Sequence, residues 1–408
     1  MIFFVWSLFG SDELEIVKQV EIVQQRSSVA VEWEQGLGVS ADDVKNFELL
    51  LRGDLNLLLT FDVKPSLPLA MPLVDRLIAY KGNGTKWVIH ALLSKENDLY
   101  VIKLSLKPLE NGEEKESTYR VSRNDRYPFL VHKMSNEIAK HLGFRSAPWM
   151  EKFVVMSVFN KRRQNDIVIA DYSLTYRKTL MSGGMFLFPK WANTSQEGFY
   201  YTDLSQKPTL YYYDMYKGEK HPLLSSDGMM VCSDVSRDGK KLLVTMAPQG
   251  QPDIYLIDLV SGTQQQVTKF SGIDVSGQFI ERDQRIAFVS DRLGYPTIFA
   301  QDLDGSDLEQ LTFQGKNNTA LSASENTIVY ASGDNGYHLY SLSSQGGHSR
   351  RLTSQGRNLF PKVVSTGDAV LFIRNGNGLQ NGLGIVRIPS GDEFVFPTEI
   401  EKIHSLDW

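Results

Sequence analysis

Over the C-terminal two-thirds of the chain, apolar positions alternate with polar ones in short runs rich in Val, Ile, Tyr and Phe, separated by Asp-Gly and Ser-Gly pairs. A spacing of two puts alternate side chains on one face of a strand, and such a pair supplies the positive φ that a tight hairpin turn needs. The pattern predicts strand after strand joined by short turns. It also repeats. The run from Asp253 to Gly262, followed by Gln266-Val267-Thr268, returns from Thr297 to Gly305, followed by Gln310-Leu311-Thr312. Earlier copies run from Thr209 to Asp214 and from Asp166 to Asp171, so the terminal aspartates Asp171, Asp214, Asp258 and Asp302 step by 43, 44 and 44 residues.

A repeat of this length built from short strands is one four-stranded blade of a β-propeller. A second phrase, centred on Met156, Tyr200, Val244, Phe288, Tyr330 and Phe372, counts six blades independently. Ser261-Gly262, Asp304-Gly305, Gly346-Gly347 and Ser390-Gly391 fall at one point of the repeat and read as turns. The first unit begins at its second strand, near Phe153 to Val158, while a strand-like run from Ile400 to Trp408 is left over at the end. An unclosed ring would expose bare strand edges, so the C-terminus is expected to supply the missing strand of blade one.

In front of the propeller the period changes. Ser40-Ala-Asp-Asp43 is a capping box before Val44, Phe47, Leu50 and Leu51, with Gly53 as the expected stop. A second helix is expected from Pro128 through Leu130, Met134, Ile138 and Leu142 to Gly143. Strands are expected over 28–33, 57–63, 87–94, 99–106 and 118–122, with a hairpin tip over 107–115 and a short linker over Arg145 to Pro148. The fold class is thus an α/β N-terminal domain, helices covering one sheet face, plus an all-β six-bladed β-propeller closed by the C-terminal strand. The domain limits are 1–10 for an apolar leader, 11–145 for the α/β domain with its N-terminal tail, and 149–408 for the propeller.

Charge and cysteine content narrow the function. A net charge of −5, with Lys and Arg dispersed, argues against nucleic-acid binding. Cys232 is alone and sits at the edge of an apolar strand, which makes it a buried thiol. The apolar leader Met1 to Gly10 is too short to span a bilayer but has the length of a secretory h-region, although a basic n-region is absent. Export is the favoured reading, and a buried first strand is the alternative.

Candidate chemistry is sparse. There is no Gly-x-Ser-x-Gly, and the seven histidines show neither H-E-x-x-H nor a C-x-x-C partner. Asp302 to Asp307 has its glycine misplaced for a calcium loop, and Lys81-Gly-Asn-Gly84 reads as a plain loop. No cofactor or metal is expected. Paired carboxylates in the channel leave a glycosidase open.

The order of parts, with the run from Asp253 to Gly262 and that from Ile286 through Asp291-Arg292 to Phe299, resembles the TolB family of periplasmic propellers of the Tol-Pal envelope system, over essentially the whole chain. The resemblance implies a non-enzymatic periplasmic scaffold that supports outer-membrane integrity and cell division and does not span the membrane; the closed ring itself needs no second copy for stability, so a monomer is expected. Its implied partners are Pal, the peptidoglycan-associated lipoprotein, and TolA, with other outer-membrane proteins besides. TolA would be met by the N-terminal segment Glu13, Leu14, Glu15, Ile16, Val17 and Lys18, whose acidic and apolar residues suit addition to a sheet edge; docking on its own domain is the alternative. Pal would be met at a rim built from loops between blades: Met229, Met230, Ile273, Asp274, Val275, Asn317, Asn318, Thr319, Arg357, Asn358 and Leu359. Met229, Met230, Ile273 and Leu359 either form an apolar patch there or turn down into the channel. The chain departs from the family at the turn between the two inner strands of each blade, kept only as Val235-Ser-Arg-Asp238-Gly239. The competing function is a secreted propeller enzyme or a peptidase-associated regulatory propeller.

Overall fold

The computed structural model describes residues 26–160, 164–324, 326–333, 336–376, 381–398 and 402–408. The leader over 1–10 and the segment Glu13 to Lys18 lie outside the described residues.

The front domain runs β1 (Ser27–Gln35), α1 (Ala41–Leu57), β2 (Phe61–Lys64), α2 (Leu73–Gly82), β3 (Trp87–Glu96), β4 (Leu99–Pro108), β5 (Lys115–Arg120) and α3 (Tyr127–His141). Its sheet has the order β2-β1-β3-β4-β5, with β1 parallel to both neighbours and the rest antiparallel. The predicted capping box starts α1: the Asp43 backbone N–H donates to Ser40 Oγ at 3.1 Å and the Ser40 N–H to Asp43 Oδ2 at 2.9 Å. The expected stop at Gly53 is overruled, since α1 continues to Leu57. Gly53 points into open space and costs about 1 kcal/mol against alanine, while the next turn buries Leu55 and Leu57 completely.

The largest omission is α2, a third helix on the face of the sheet opposite α1 and α3, so both faces are covered rather than one. Its apolar pattern misleads, because Leu73, Val74 and Ile78 are exposed while Arg76 and Tyr80 are the residues it buries. Arg76 reaches Glu32 of β1 at 2.9 Å, and the Tyr80 hydroxyl accepts from the Leu67 N–H at 2.7 Å. The stretch Lys81 to Gly84 is therefore a helix end, not a free loop, and β2 begins only at Phe61.

Six four-stranded sheets follow, as the repeat predicts. Blade one is assembled from both ends: Ile403–Asp407 pairs antiparallel with Val154–Phe159, placing Leu406 opposite Met156 and Asp407 opposite Val155. The recurring phrases of the repeat have local jobs. Asp258 Oδ1 accepts the backbone N–H groups of Val260 and Ser261, and Asp214 Oδ1 those of Tyr216 and Lys217, so each aspartate ties the hairpin turn behind it. Thr268, Thr312 and Thr353 each accept an N–H from the strand alongside, from Ile254, Ile298 and Leu339 at 2.9, 3.1 and 2.9 Å.

The stretch read as a linker is packed. Asn136 of α3 clasps Ala147 through both its amide oxygen and nitrogen, and Trp149 stacks edge-on against Trp408 at 4.9 Å. Between the domains His132 of α3 lies between two carboxylates, Asp54 at 2.9 Å and Asp171 at 3.2 Å, all three fully buried.

Candidate partner-binding rim and channel

Every innermost strand carries an irregularity at the same depth. The register slips at Ile403/Ser405, opposite Tyr200/Thr202, and at Cys232/Asp234, Val275/Gln278, Thr319/Leu321 and Leu359/Lys362 for blades one to six. Phe188, Ser276, Ala320 and Phe360 take left-handed φ values of 53°, 58°, 41° and 50° there, a conformation non-glycine residues hold only when neighbours enforce it. The bulges re-aim the residue that follows toward the axis.

What they aim is a belt across the channel: Asp407, Lys190, Asp234, Gln278, Ser322 and Lys362, one from each blade in order. Odd blades carry acceptors and even blades donors. Lys190 Nζ lies 3.0 Å from Asp234 and 3.4 Å from Asp407, and Lys362 Nζ lies 3.4 Å from the same Asp407 oxygen. Burial alone would lower the Lys190 pKa, but the two carboxylates overcome it and hold the ammonium above the usual lysine range. Burial wins at Lys362 and pushes it down. Cys232 beside the belt is a free buried thiol, pushed well up by the same desolvation.

The belt separates two cavities. The one on the side of the inter-blade loops, about 140 Å³, opens past Met229; the other, about 410 Å³, lies under Trp149 and Trp408 and includes Asp234, Asp283 and Asp407. The front domain sits on this second side, since Asp171 and Arg387, which donates to the Leu57 carbonyl, end strands pointing that way. The inter-blade rim faces away from it.

On that rim the structure sorts the predicted residues. Met229 and Ile273 are exposed, 44% and 45%, and Arg357 is exposed over the Tyr337 ring at 4.3 Å. Val275, Asn317, Thr319 and Leu359 are half-buried. Four of the expected residues are buried. Met230 fills the core between blades two and three. Asp274 is buried under a two-pronged contact with Arg292, both oxygens at 3.1 Å. Buried Asn318 donates to the Gln314 carbonyl at 2.9 Å, and buried Asn358 to that of Gln355 at 2.9 Å. These side chains shape the loops from beneath. Met229 stands exposed at the mouth of the rim-side cavity, whereas Met230 is buried. Sequence reasoning missed Phe313, 75% exposed, and Leu293, 46% exposed, on neighbouring loops of the same rim. It also missed the belt, although Leu187-Phe-Pro-Lys190 recurs as Leu359-Phe-Pro-Lys362. Among the described residues no cluster of His, Cys, Asp and Glu suits a metal ion, and no helix is long and apolar enough to cross a membrane.

The TolB beta propeller domain family matches residues 151–392. The Tol-Pal system protein TolB of Wolinella succinogenes is 39% identical, over 99% of this chain and 99% of its own. The chain belongs to the TolB family. Tol-Pal system protein TolB of Campylobacter jejuni strain RM1221 is 43% identical over 75% of this chain and 78% of its own. The crystal structure of TolB from Acinetobacter baumannii aligns with a TM-score of 0.78, covering 94% of this chain and 96% of that one at 20% identity, which establishes the shared TolB fold.

Proposed function

We propose that the chain is a non-enzymatic periplasmic scaffold of the Tol-Pal complex, holding Pal on the inter-blade rim and TolA through Glu13 to Lys18, in support of outer-membrane integrity and cell division. The observation that carries this reading is the end-to-end similarity to a Tol-Pal system protein, front domain and propeller together. The rim adds a physical basis. Met229, Ile273, Leu293 and Phe313 place exposed apolar groups on loops of consecutive blades, over rigid supports such as the Asp274–Arg292 pair. Small apolar groups on a stiff frame, ringed by polar residues, are how a few anchors supply most of an interface's energy. Crosslinking intact envelopes and purifying the chain should recover an OmpA-like lipoprotein and TolA. Replacing Ile273 and Phe313 together by aspartate should weaken lipoprotein binding roughly tenfold or more while leaving the melting temperature in place. Recovery of neither partner, with turnover of a peptide or glycan library instead, would reverse the assignment.

A further inference from the structure

The alternation of acceptors and donors around the belt leaves one of its sides short of negative charge. Asp407, Asp234 and Ser322 each accept a backbone N–H from the next blade, from Trp191, Phe279 and Val363 at 2.9, 2.9 and 3.1 Å. The carboxylate capacity left over is divided unequally. Lys190 has oxygens of both Asp234 and Asp407, whereas Lys362 shares with it the single Oδ1 of Asp407. The Lys362 side chain is only 18% exposed, and its desolvated ammonium sits next to a second one. The rim-side cavity is lined by Lys190 and Lys362 together with Ser233, Thr245, Ser276, Gln278 and Ser405, and none of its described lining residues is acidic. Phe188, Met229 and Phe360 make its walls apolar. The carboxylates Asp234, Asp283 and Asp407 line the other cavity, in company with Lys152, Lys190, Arg237 and Arg282.

We propose that this cavity takes the carboxylate of one acidic side chain, an Asp or Glu presented by the protein seated on the rim, and pairs it with Lys362. The inference rests on the rim being the partner-binding face. Charge complementarity selects the ligand: an incoming carboxylate gives Lys362 a full partner and finds neutral hydroxyl donors in Ser276 and Ser405, while Ser233 and Gln278 already donate to backbone carbonyls. Size limits it further. A volume of about 140 Å³ is near that of an engineered cavity that holds benzene, so a carboxyl group and its stem enter while a folded element does not. The partner must therefore offer the acid on a protruding loop. A candidate without it leaves a buried ammonium without its second partner, which makes the cavity a discriminator between partners.

Lys362→Met keeps the length of the side chain and removes the charge, and it leaves Asp407 with Lys190 and the Trp191 N–H. Calorimetric titration with the soluble domain of the cognate OmpA-like lipoprotein should show affinity falling roughly ten- to hundredfold in this variant. Neutralising one particular Asp or Glu of that domain should cost the same against the unaltered chain and nothing further against K362M. An unchanged Kd in K362M, or no acidic residue coupled to it, overturns the inference. Failure of the unaltered chain to bind the lipoprotein would instead sink the rim reading, and the cavity is then judged by titrating N-acetyl-glutamate against methyl-labelled Met229. Saturable shifts lost in K362M support the site, and no shift in the unaltered chain overturns it.

Discussion

One aspartate of the repeat shows how a single residue acquires a second task. In blades two and three Asp214 and Asp258 only tie their own turns. In blade one the equivalent Asp171 ties its turn through the Ser173 and Tyr176 N–H groups and also receives His132. Burial pushes the His132 imidazole down, but Asp54 and Asp171 outweigh it and raise its pKa to about 9. The folded value thus lies above the ordinary 6.5, so the stability it contributes is complete below pH 6.5 and is lost as pH rises through 9. The loss amounts to about 3 kcal/mol across that window. Thermal melts from pH 6 to 9.5 should show this decline, and His132→Asn should flatten it while destabilising the protein at pH 6 by roughly 3–5 kcal/mol through two uncompensated carboxylates. A parallel slope in the variant would refute the role. The sequence displayed Asp171 and His132 separately, 39 residues apart; nothing in either neighbourhood announced their meeting.

At the scale of elements, strands were legible and helix ends less so. The threonines of the repeat explain why: each replaces a strand's missing partner with its own hydroxyl, a local device that recurs at a fixed distance. Thr312 accepts both the Ile298 N–H and the Asn318 side-chain amide, so Thr312→Val should orphan two buried donors and cost about 1–3 kcal/mol in chemical denaturation. The rim loop above it should loosen as well, seen as faster amide exchange over 313–317. Helix α2 escaped because its most buried residues are Arg76, paired with Glu32, and Tyr80, packed on Ala30 and Val88, while the apolar residues Leu73, Val74 and Ile78 face outward. Gly53 misled because glycine marks a helix end only when the backbone there turns left-handed, and here the apolar face beyond it kept the helix going.

Across the whole molecule, closure is the decisive contact. The C-terminal strand buries Ile403 and Leu406, and the Asp407 side chain at its end ties blade one to blade two through the Trp191 N–H and Lys190. Removing residues 400–408 strips the strand Val154–Phe159 of its inner partner and bares one strand edge toward the channel, and a single early transition with aggregation is expected in scanning calorimetry. Leu406→Ala, milder, should cost about 2–5 kcal/mol and shift the melt of the propeller as one unit. A variant that melts blade one alone would show that the ring is not cooperative.

The sequence by itself determined the number of blades, the need for a closing strand and the turn chemistry, because these follow from near-neighbour spacing and from backbone groups that must be paired wherever they are buried. It determined the six belt residues too, though not that they would meet. The meeting, and with it the division of the channel into a rim side with lysines and no acid among its described lining residues and a far side of mixed charge, was decided by the tertiary structure. Residues about 44 apart become neighbours only when the ring closes and bulges turn them to one axis. The same holds for His132 between its two aspartates and for which rim residues stay exposed: burial is a property of the assembled blades, not of any one strand.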